Sequence, residues 1–183
     1  MALKATIFKA DLQVSDLDRG YYARHALTIA RHPSETDERM MVRLVAFAFD
    51  ADEMLSFGRG LSTEDEADLA LTDHSGAIDL WIDVGQPDER DLRKAAGRAR
   101  RVKLWTYGGR VADIWWEQNR GSLERLRNLE VFRLSGEDGK ALASLADRTM
   151  KVEVTIQDGA AWVSAGDRTL RIEPGRLKDA APA

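Results

Sequence analysis

The sequence predicts an α/β (α+β) fold, with a mixed central sheet flanked by helices. Three observations predict it. Strand and helix periodicities alternate along the chain in the order β-β-α-β-β-α-β-α-β-α-β-β. The length, 183 residues, suits one domain, which at this size buries roughly 70% of its unfolded surface. No repeat, low-complexity run or Pro/Gly/Ser-rich linker interrupts the sequence, so residues 1–183 are expected to form a single domain.

Residues 3–14 and 21–31 read as strands, and Ser15, Asp16, Asp18 and Gly20 between them supply the turn of a hairpin. Pro33 and Ser34 then open a helix. Ser34 is its expected N-cap, Asp37 completes a capping-box-like arrangement, and Glu35 and Glu38 suit the positive end of the dipole. Met41, Leu44, Val45 and Ala48 recur at helical spacing, which predicts one buried face. A shorter helix is expected over 51–59, and a short strand over 68–71 closes the acidic stretch STEDEADLAL.

AIDLWIDV, residues 77–84, is the clearest strand of the chain. Gln86, Pro87 and Asp88 start a helix running to about residue 100, with Pro87 acceptable in its first turn. A strand over 102–107 ends at Gly108 and Gly109, and a helix follows from Val111, with a break at Gly121. Residues 129–134 form a further strand and 140–146 a further helix. The tail reads as two or three short strands with turns at Asp158–Gly159 and Gly166–Asp167.

Composition narrows the function. The absence of cysteine removes disulfides, thiolate catalysis and cysteine-ligated metals, and fits a reducing compartment. No apolar leader and no run of roughly 20 apolar residues is present, so a soluble, cytoplasmic protein with no membrane association is expected. The net charge of −4 and pI near 5.5 give no global attraction to nucleic acid. Any such binding must come from a local basic patch.

Three acids lie where acids are expensive. In the strand over 77–84 one parity is wholly apolar, while the other carries Asp79, Trp81 and Asp83, either a solvated outer face or a polar wall shielded from water. Glu38 sits above the buried stripe of its helix, where it either serves the helix terminus or faces a site. Asp68 opens a short strand after an acidic run, where it is either one more solvated surface acid beside Glu64, Asp65 and Glu66 or part of a site. A helix, a strand start and the end of the next strand can deliver these acids to one point. Magnesium is held by one or two carboxylates with several waters retained, and can lower the pKa of a bound water.

HPSETDERMMVRLVAFAF, IDLWIDVGQPDE, RVKLWTYG and ADIWWEQN resemble the YaeQ family over essentially the whole chain. The resemblance implies a restriction-endonuclease-like PD-(D/E)XK core, α-β-β-β-α-β, with extra N- and C-terminal strands. It implies that Glu38 is the acid of the first core helix, that Asp68 is the Asp of the PD element with Ala67 in place of the proline, and that Asp83 is the (D/E) residue. Asp68 and Asp83 would hold Mg²⁺ or Mn²⁺. The motif lysine is missing, because Gly85 stands two residues after Asp83. Gln86 and Lys94 are the candidate substitutes.

Beside these lies a basic segment. Between Asp88 and Lys103 seven basic residues face three acids. Arg90, Lys94, Arg98 and Arg101 form a stripe, either a solvated helix face or a contact surface for nucleic-acid phosphates. The three histidines share no metal-binding spacing. Adjacent Trp115 and Trp116 read as core and rim packing. The expected activity is Mg²⁺-dependent hydrolysis of phosphodiester bonds by a monomer. The alternative is a non-catalytic module of the same fold that binds nucleic acid or a protein partner.

Overall fold

The computed structural model describes residues 4–59 and 65–182. The expected strand start at Leu3 and the acids' neighbours Ser62, Thr63 and Glu64 lie outside the described residues.

β1 (Thr6–Asp16) and β2 (Tyr21–Arg31) form the expected hairpin, in register from Thr6 opposite Arg31 to Asp16 opposite Tyr21. β1 also pairs in parallel with β8 (Thr149–Gln157), which continues antiparallel into β9 (Ala160–Ala165) and β10 (Arg168–Ile172). Asp158 and Gly159 both take positive φ in the β8–β9 turn, which suits a tight two-residue hairpin. These five strands make one mixed sheet, ordered β10-β9-β8-β1-β2.

A second mixed sheet has the order β11-β7-β6-β5-β4-β3. Its strands are β3 (Leu55–Phe57), β4 (Leu69–Thr72), β5 (Ile78–Val84), β6 (Ala99–Thr106), β7 (Leu129–Arg133) and β11 (Gly175–Lys178). The architecture therefore departs from one central sheet. β1 and β2 with β8, β9 and β10 build a sheet of their own, while the last strand, β11, joins the other sheet beside β7.

Between the sheets runs α1 (Asp37–Phe49). Met40 to Ala48 are all buried, so the expectation of one buried face is too narrow. A helix covered by a sheet on either side needs apolar residues around its whole circumference. Its core joins Leu12, Val14 and Val154 of the first sheet to Leu80, Ile82 and Trp105 of the second. The helix also starts later than expected: Thr36, not Ser34, is the N-cap and accepts from the Arg39 N–H, while Asp37 pairs with Arg31.

The outer face of the second sheet is covered by α2 (Glu89–Arg98) and α3 (Arg110–Leu123), through Trp81, Leu92, Ala95, Val102 and Trp116. α3 runs through Gly121 without the expected break. α4 (Gly136–Ala143) packs beside α1 and starts earlier than expected. Residues 51–59 contain β3 rather than a helix. That three-residue strand is defined only by pairing with β4, which no local periodicity announces. Among the described residues no helix is long and apolar enough to cross a membrane.

Candidate active site: a carboxylate pocket

β4 and β5 are antiparallel neighbours, with Leu69 opposite Ile82. Asp68 precedes the first and Asp83 nearly ends the second, so the register makes the two acids neighbours. The Asp68 N–H donates to Asp83 Oδ1 (3.3 Å), and the Val84 N–H donates to Asp68 Oδ2 (2.8 Å). Both line a cavity of about 270 Å³, together with Arg39, Gln86 and Tyr107.

Burial, followed by the charge of Asp68, pushes the Asp83 carboxyl up from 3.8 to about 7. The Trp81 side chain, 4% exposed, lies against it, and the indole N–H leans on the carboxyl without closing a full hydrogen bond. α2 and α3 cover this face of β5, so the alternative of an openly solvated strand face does not hold. Burial likewise raises the Tyr107 phenol.

Asp68 already carries a counter-ion. Arg39 Nη2 donates to both of its oxygens, at 2.8 and 2.9 Å. Arg39 Nη1 donates to Glu35 (2.9 Å), and Glu35 accepts two further bonds of 2.8 Å from Arg43, which is fully buried. Arg43, Glu35, Arg39 and Asp68 thus form a chain of charges leading from the core to the pocket.

The other expected site residues divide. Gln86 lines the pocket, and its Nε2 donates to the Tyr107 carbonyl (2.5 Å), which leaves the amide oxygen as an acceptor. Glu38 does not line the pocket; its carboxylate is pressed against α4, where a Cβ on Gly139 would collide with it. Lys94 is exposed on α2 and also lies off the pocket wall, though its charge is felt at Asp88.

Gly85, where the resemblance leads one to expect a lysine, has a backbone that disfavours any side chain. Its φ of 103° is a conformation that L side chains rarely adopt, and its N–H closes a 2.8 Å bond to the Trp105 carbonyl. Any side chain at this position carries backbone strain.

Sequence reading missed Arg39, Glu35 and Tyr107. A signal was present: Glu35, Arg39 and Arg43 recur every four residues, and Arg43 interrupts an otherwise apolar helix run.

The donor types suit a hard cation. Asp68 and Asp83 would hold it, with water completing the shell. Among the described residues no three His, Asp or Glu side chains gather into a cation cage, and Arg39 occupies Asp68. A cation would therefore share that carboxylate with the guanidinium or displace it.

Fold and site together define a class: an α+β protein with two mixed sheets around an enclosed helix and a carboxylate pocket at a strand end. The chain belongs to the YaeQ family, whose model, described as YaeQ protein, matches residues 1–174. It is 51% identical over 158 residues to the uncharacterized protein YaeQ of Escherichia coli (strain K12), covering 86% of this chain and 87% of that one. The Salmonella typhi protein of the same name is 52% identical over the same shares. The crystal structure of the YaeQ protein from Xanthomonas axonopodis pv. citri matches with a TM-score of 0.92 at 49% identity, over 97% of this chain and 99% of that one. The Pseudomonas syringae YaeQ structure gives 0.91 at 36% identity, over 96% and 97%.

Proposed function

We propose that this pocket is the active site of a cytoplasmic, divalent-cation-dependent enzyme that hydrolyses phosphodiester bonds in nucleic acid, on a variant of the PD-(D/E)XK fold. The order α1, β3, β4, β5, α2, β6 supports the fold, since it reproduces α-β-β-β-α-β. The observation that carries the function is the meeting of Asp68 and Asp83, with one carboxyl raised to about 7 by burial and by its neighbour. Clustered, perturbed carboxyls in a cleft mark sites of chemistry.

Asp68 and Asp83 hold Mg²⁺ or Mn²⁺ in this reading. The ion supplies a water of lowered pKa and positive charge beside the phosphate. The Gln86 amide oxygen accepts from and orients the attacking water. The exposed α2 residues Arg90, Lys94 and Arg98, continued by Arg101, contact phosphates along the strand.

Purified protein is expected to cleave DNA or RNA with Mg²⁺ or Mn²⁺, and Asp83→Asn to lower the rate by about a hundredfold or more. Undiminished cleavage by that variant sinks the assignment.

The second reading is a binding module without turnover. Gly85 in the lysine position and the guanidinium already seated on Asp68 favour it. Salt-sensitive oligonucleotide binding with no cleavage under any divalent cation selects that reading.

A further inference from the structure

The pocket's charge balance poses a problem for a phosphate substrate. Among the described residues four acids line it: Glu66, Asp68, Asp83 and Asp91. Among the described lining residues Arg39 is the one cation. Lys94 lies off the wall, Gln86 is neutral, and the backbone at Gly85 disfavours a side chain. A phosphate entering this pocket therefore meets one protein cation, and that cation is on α1 rather than on β5 or α2.

Arg39 is built for the task. Its side chain is 17% exposed, so it reaches the cavity while being held from behind. A guanidinium has five N–H donors. Nη2 makes both bonds to Asp68 and Nη1 makes one bond to Glu35, so among the described residues the Nε–H and the second Nη1 hydrogen are left for an incoming oxygen. Glu35 is itself clamped by fully buried Arg43, so the guanidinium plane is set before any ligand arrives. Little side-chain freedom is then lost on binding.

We propose that Arg39 is the residue that grips the substrate's phosphate in this pocket, filling the anion-binding role that the strand lysine would otherwise supply. This rests on the nucleic-acid reading above and goes beyond it in assigning the phosphate contact to a residue of the central helix.

The test is binding of a fluorescently labelled short DNA duplex, and of the RNA of the same sequence, to the full-length protein in Ca²⁺ at several salt concentrations. Arg39→Gln is expected to bind about tenfold to a hundredfold more weakly, as for loss of a charge-assisted bond. Its slope of log affinity against log salt should also fall by about one phosphate contact. Arg39→Lys keeps a point charge without the planar fork, so it should recover the slope but only part of the affinity. A residue that merely propped up Asp68 would leave the slope unchanged in Arg39→Gln.

Because Arg39→Gln strips a counter-ion from Asp68 and Glu35, a second measurement uses the wild-type protein. The Arg39 Nε–H resonance should shift on titration with the same duplex or RNA. Wild-type affinity and slope in Arg39→Gln, or an unmoved Arg39 signal in a saturated complex, overturns this assignment while the nuclease reading stands. Failure of the wild-type protein to bind either probe overturns both.

Discussion

Asp83 is an acid kept where ionisation is costly, and this sets its pH behaviour. A carboxyl whose pKa rises on folding favours the folded state while protonated. Its contribution is complete below about pH 4 and is lost as pH passes through about 7. The shift from 3.8 to about 7 corresponds to roughly 4 kcal/mol. Asp83→Asn keeps the acceptor for the Asp68 N–H and removes the ionisation. In the absence of divalent cations, it should raise the melting temperature at about pH 8 and leave it nearly unchanged at about pH 4. The opposite trend in a thermal series would refute the assigned environment. Gly85 yields a second outcome at this scale: Gly85→Ala should cost about 1–3 kcal/mol by chemical denaturation, because the positive φ must be retained. Gly85→Lys carries the same strain, so under the proposed nuclease reading a lysine placed there should not raise cleavage.

Among the elements, α1 bears heavy demands, since from Met40 to Ala48 it has no side facing water and it carries a buried ion network. Phe47→Ala should cost about 3–5 kcal/mol, as for a large side chain lost from a packed core. Glu35→Ala should cost a similar amount, about 3–5 kcal/mol, because it leaves buried Arg43 without its carboxylate. Equilibrium denaturation measures both. This helix also shows where sequence reading reaches its limit. The hairpin and β5 were legible, since each shows period-two alternation next to clear turn residues. The existence of α1 was legible too. Its complete enclosure was not, because the covering sheet pairs Lys9 with Thr149, and nothing local to α1 encodes that pairing. The same holds at the site. Asp68 and Asp83 were readable as acids at strand ends, whereas the position of Glu38 against α4, off the pocket wall, is a tertiary fact that no local pattern encodes. Arg39 was passed over although its four-residue spacing from Glu35 and Arg43 was in plain view.

On the scale of the whole molecule, one core connects the two sheets through α1, so neither sheet retains a complete interior without the other. Loss of far-UV ellipticity and the shift of tryptophan emission should therefore trace one coincident denaturation curve. Trp105 lies in the central core, Trp81 lies beneath α2 and α3, and Trp116 projects from α3 into that second cluster, so the emission samples both regions. Separate midpoints would contradict this coupling.

The parallel pairing of β1 with β8 has a consequence for biosynthesis. The hairpin is complete at Arg31, but β8, which pairs with it in the sheet, is synthesised only from Thr149 onward. Until then the β1 edge that β8 will pair stays open, and the inner faces of the hairpin, Phe8, Leu12, Val14 and Ile29, have α1 alone against them. Nascent chains stalled before residue 149 should be sticky, drawing chaperones and aggregating, while chains released with the terminal strands in place should fold to a compact product.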